Sequence, residues 1–68
     1  MNYIIIEMQT NDGPTAVLTE QKSDWNEACS VYFLKLSYAA VSNVKCHSVS
    51  LLSEDGEKLL SQSFEHNP

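Results

Sequence analysis

The chain has no arginine. Its only cations are Lys22, Lys35, Lys45 and Lys58, scattered along 68 residues. Nucleic-acid binding needs clustered Lys and Arg that displace counterions from phosphates, so no direct nucleic-acid partner is expected. Nine acidic residues bring the net charge to −5, which disfavours anionic lipid surfaces as well. No apolar run approaches the ~20 residues of a membrane span. The start, Met1-Asn2-Tyr3-Ile4-Ile5-Ile6, lacks the basic region of a secretion signal. The expected setting is the cytoplasm, without a membrane partner, where Cys29 and Cys46 stay reduced. Gly13 and Gly56 are the only glycines, so there is no Gly-rich loop to cradle a phosphate.

What is present is a globular composition. Hydrophobic residues make up 43%, too many for a disordered chain. A chain this short forms one domain, residues 1–68, and buries only about 60% of its unfolded surface. Small domains commonly make up that shortage with a disulfide, a metal or a partner chain.

Tyr3 to Thr10 is rich in β-branched residues and reads as a strand. Tyr3, Ile5 and Glu7 share one face, and Ile4, Ile6 and Met8 the other. Asn11-Asp12-Gly13-Pro14 is a turn, and a second strand is expected over 15–21, with Ala16 and Leu18 toward the core. Ser23 or Asp24 can serve as the helix N-cap, and with Asp24 in that place Glu27 sits three residues on and closes a capping-box-like pair. The helix should run from Trp25 to Val41 or Ser42, closed by Asn43 in a left-handed conformation. Residues 46–53 and 58–65 read as strands joined by the Asp55-Gly56 turn. The order β-β-α-β-β implies an α+β fold: a four-stranded antiparallel sheet with one helix on one face. The ending His66-Asn67-Pro68 reads as a short polar tail.

The helix carries two apolar stripes. At about 100° per residue, Trp25, Ala28, Cys29, Tyr32, Leu36, Ala39 and Ala40 fall on the core side, with Phe33 at its flank. Val31, Leu34, Tyr38 and Val41 remain, at steps of three, four and three on the opposite side. That is the spacing of a helix–helix seam. It points to a protein interface, most simply a homodimer about a two-fold axis, or contact with a host or phage protein.

Candidate chemistry is sparse. Cys29, Cys46 and His47 are too few and badly spaced for a structural zinc site, so neither metal nor cofactor is expected. Cys46 and His47 are adjacent in a strand and point to opposite faces, which rules out a dyad made by that pair alone. His47 instead fits the core side with Val49 and Leu51, hydrogen-bonded there. Glu54-Asp55-Gly56-Glu57 lacks the alternating oxygen ligands of an EF-hand. No catalytic residue is expected. The acidic residues are dispersed, which weakens a second reading as an acidic inhibitor that mimics nucleic acid.

Taken together, Tyr3-Ile4-Ile5-Ile6-Glu7-Met8-Gln9, Asn26-Glu27-Ala28, Tyr32, Ala39-Ala40-Val41-Ser42-Asn43-Val44, His47 and Asp55-Gly56 resemble short uncharacterised proteins of phages and prophages of Firmicutes. The resemblance spans nearly the whole chain and implies a mobile-element origin and action inside a bacterial cell. It assigns no activity to any residue. The reading is a small non-enzymatic interaction module that self-associates through its helix, with an accessory virion protein as a further alternative.

Overall fold

The structure is a computed structural model and describes residues 1–66. The strands are β1 (Tyr3–Thr10), β2 (Ala16–Lys22), β3 (Cys46–Ser53) and β4 (Lys58–Glu65), with helix α1 (Trp25–Val41) between β2 and β3. All pairings are antiparallel, in the order β2-β1-β3-β4. The fold is the expected α+β arrangement. The two hairpins meet through their first strands, so β1 and β3 are central and β2 and β4 are edges.

Local chemistry accounts for the boundaries. Asp24 caps α1: its carboxylate accepts from the Glu27 backbone N–H at 3.0 Å. At the other end the outcome differs from expectation. No residue other than glycine has positive φ among the described residues, so Asn43 does not adopt the left-handed cap. Ser42 closes the helix instead, with its N–H and its hydroxyl both donating to the Ala39 carbonyl. Gly56 does take the left-handed conformation, at φ 87°, in the tight turn before β4. The Ser53 hydroxyl donates to Asp55 there and holds that carboxyl below its usual range. One irregularity interrupts the β3–β4 ladder. Leu51 pairs with Leu60 and Leu52 with Lys58, which leaves Leu59 as the extra residue of a bulge.

The core lies between α1 and the two central strands. Ile5, Val49 and Leu51 from the sheet meet Ala28, Tyr32 and Ala39 from the helix. Alanines at two of the three buried helix positions let the backbone come close to the sheet. Tyr3, Cys29, Leu36, Leu60 and Phe64 pack around this centre. A helix is about 10 Å across, and strands are about 4.8 Å apart, so one helix covers about two strands. This is why Ala16 and Leu18 remain exposed, although Leu18 pairs with Glu7 and so sits on the helix side. Trp25 and Ala40, expected in the core stripe, are exposed at the two ends of the helix. Trp25 still meets Tyr3 edge-on, with ring centroids 5.3 Å apart.

His66 is anchored. Its N–H donates to the Lys45 carbonyl at 2.8 Å and its Nε2 to the Ala39 carbonyl at 2.9 Å. The expected polar tail therefore does not begin there, and residues 67 and 68 lie outside the described residues.

Candidate functional site

Three features stand out: a buried polar cluster, the outer face of α1, and the open face of the sheet.

The cluster joins β1, β3 and α1. His47 is 4% exposed, on the same face as Val49 and Leu51 as the sequence suggested. Its Nε2 donates to Glu7 Oε2 at 2.6 Å, and its Nδ1 lies 2.9 Å from the Ser42 hydroxyl. Glu7 Oε2 also accepts from Gln9 at 3.1 Å, and Oε1 accepts from Lys35 at 3.4 Å. Burial pushes the Glu7 carboxyl up, but hydrogen bonds from His47, Gln9 and Lys35 and the lysine charge outweigh it. The carboxyl therefore titrates below its ordinary value.

The chain of contacts Ser42–His47–Glu7 has the connectivity of a nucleophile, base and orienting acid. Its surroundings oppose that chemistry. Ser42 stands at the C-terminal end of α1, where carbonyl oxygens converge and the helix dipole is negative. An oxyanion forming there would face acceptors where donors are required. The Ser42 hydroxyl also lies 3.2 Å from the Ala39 carbonyl, a second acceptor for its one hydrogen. The contacts tie the helix end to the middle of the sheet. Sequence reasoning grouped Glu7 with Tyr3 and Ile5 and put His47 with Val49 and Leu51, but could not join them, because the β1–β3 pairing was undetermined.

Cys29 is half-buried against the core and Cys46 is exposed on the opposite sheet face from His47. Among the described residues, no three His, Cys, Asp or Glu side chains gather as metal ligands would.

The four residues expected at the helix seam divide. Leu34, Tyr38 and Val41 are 55, 63 and 83% exposed and point away from the sheet. Val31 is half-buried and packs against the core cluster. It stands at the border between the stripes, about 80° around the helix from the centre of Ala28, Tyr32 and Ala39, as Cys29 does on the other side. Phe33 is exposed on the other flank, edge-on to Tyr32 at 5.1 Å.

The open sheet face was not singled out from sequence. Ile4, Ile6, Met8, Val17 and Leu52 form its apolar part, all exposed or half-buried. Beside them Ser48 pairs with Ser63 and Ser50 with Ser61, the latter with hydroxyls 3.2 Å apart. A shallow hollow of about 260 Å³ opens where Met8, Thr10, Cys46 and Ser63 meet. The signal available in sequence was the Ile4, Ile6, Met8 alternation, which gives β1 an apolar side facing each way.

Among the described residues, no helix is long and apolar enough to cross a membrane. No family model, curated protein or solved structure matches this chain.

Proposed function

We propose that this is a small non-enzymatic interaction module of phage or prophage origin, acting in the cytoplasm of a bacterial host and self-associating through the outer face of α1. One observation carries the interface: Leu34, Tyr38 and Val41 present three large apolar side chains to water on one face of the helix. Their steps of four and three residues suit packing against a second helix. A two-fold axis would set each stripe against its copy. The small core adds support, since among the described residues only Ile5, Val49 and Leu51 are large side chains buried completely. The mobile-element origin rests on the family resemblance of the sequence, and the absence of catalytic work on the carbonyl-rich setting of Ser42.

The test is the mass in solution at micromolar concentration, by sedimentation or light scattering. The wild-type chain should be larger than 7.6 kDa, and Leu34→Glu or Tyr38→Glu should lower that mass while far-UV circular dichroism stays unchanged. A mass unaffected by both substitutions refutes the helix interface.

A further inference from the structure

We propose that the open sheet face is a second interface, closed by another copy of this chain packing face to face into a four-layer helix–sheet–sheet–helix dimer. The chain carries 13 charged side chains, nine acidic and four basic. Glu7, Glu20 and Lys22 are in register with Val49, Ile5 and Tyr3, on the helix side. Others lie on α1 or in the turns. Only Lys58, paired with Leu52, and Glu65, paired with Cys46, are in register with the open face, at opposite ends of β4. A sheet face kept in water normally carries polar and charged side chains. Here its middle row reads Thr19, Ile6, Ser50, Ser61, without a charge.

The occupant follows from the same charges. Two copies at −5 repel each other wherever their acidic turns approach, and this face is where they can meet without that repulsion. A two-fold axis running across the strands lays β4 over the partner's β4 in the reverse direction. Lys58 then stands over the partner's Glu65 at both ends of the strand. The copies remain aligned, as in sheet-on-sheet packing. The serine ladder is short-chained and lets the sheets approach to about 10 Å.

The area is sufficient. Four strands at about 4.8 Å and eight residues at about 3.3 Å give a face of roughly 500 Å² per chain. The pair would bury about 1,000 Å² in all, where specific interfaces begin. In this dimer both helices lie outermost, so the Leu34, Tyr38 and Val41 stripe is still free. The sheet interface does not depend on the helix reading, and the two together give an assembly larger than a dimer.

The experiment is a two-by-two comparison of solution mass. Ser50→Lys places a charge at the centre of the sheet face without touching the core, and Leu34→Glu does so on the helix. Ser61→Lys, on the exposed edge strand, replaces Ser50→Lys should that variant lose its circular dichroism spectrum. With both interfaces present, the wild-type chain exceeds a dimer, each single variant falls to a dimer, and the double variant is a monomer. A Ser50→Lys or Ser61→Lys chain that folds and keeps the wild-type mass overturns the sheet interface. A Leu34→Glu chain that keeps it overturns the helix interface alone, and a monomeric wild type overturns both. In the Leu34→Glu background, Lys58→Glu should weaken the dimer by roughly two- to five-fold. Adding Glu65→Lys should restore it, and failure to restore overturns the proposed axis.

Discussion

Replacing Glu7 by Gln tests the buried cluster directly. Glu7 accepts from His47, Gln9 and Lys35. Glutamine preserves the shape but has one acceptor oxygen. That oxygen can turn toward His47 and Gln9, which share one carboxylate oxygen, and the amide nitrogen then faces the Lys35 ammonium. The His47 bond falls from charge-assisted to neutral, a loss of about 1 kcal/mol. The partly exposed Lys35 contact adds up to about 1 kcal/mol. The expected total near neutral pH is about 1–2 kcal/mol, or a melting temperature lower by about 4–16 °C in a domain of this size. Urea unfolding followed through Trp25, the single tryptophan, measures it. Protein concentration is held fixed because association raises apparent stability.

The pH dependence supplies the stricter test. The Glu7 carboxyl titrates lower in the folded chain than its ordinary value of about 4.3. Its stabilisation is therefore fully present above that value and is lost as pH falls through the folded value. Wild type and Glu7→Gln should converge in stability on acidification. A difference below about 0.5 kcal/mol at pH 7, within the range of ordinary surface substitutions, would refute the reasoning. So would a difference that persists undiminished into strong acid.

Two further substitutions test the turns and caps. Gly56→Ala should cost about 1 kcal/mol in urea unfolding, because a side chain at φ 87° is strained although nothing lies within 4 Å of its Cβ. Gly13→Ala, with the same open space and no positive φ, should change stability far less. Asp24→Ala should cost about 1 kcal/mol through the lost bond to the Glu27 N–H, whereas Asp24→Asn should retain most of it.

The elements were readable in the sequence because punctuation marks them. Gly13-Pro14, Asp24 and Gly56 act within a few residues of themselves, and the observed strands and helix follow them to within a residue. What the sequence left open depends on distance across the fold. The Glu7–His47 contact requires the β1–β3 pairing, which no local signal specifies. The position of Val31 depends on how α1 is turned on the sheet, since a residue at the border of a stripe moves inward or outward with a small rotation. The exposure of Leu18 follows from the width of one helix over four strands. The open face became visible only when the register showed which residues from all four strands share it.

The strand order has a consequence for synthesis. The central partners, β1 and β3, are the pair farthest apart in the chain, with Tyr3 opposite Ser53. A ribosome releases β1 early, paired only with β2, and its other edge waits while the helix and turn are made. At 5–20 residues per second the wait lasts on the order of seconds. During that time the nascent chain offers an open row of backbone donors and acceptors, bordered by Ile4, Ile5 and Ile6. The residues that later form the centre of the sheet are thus, for those seconds, its most exposed edge, and crowded polysomes are where such chains could pair with each other.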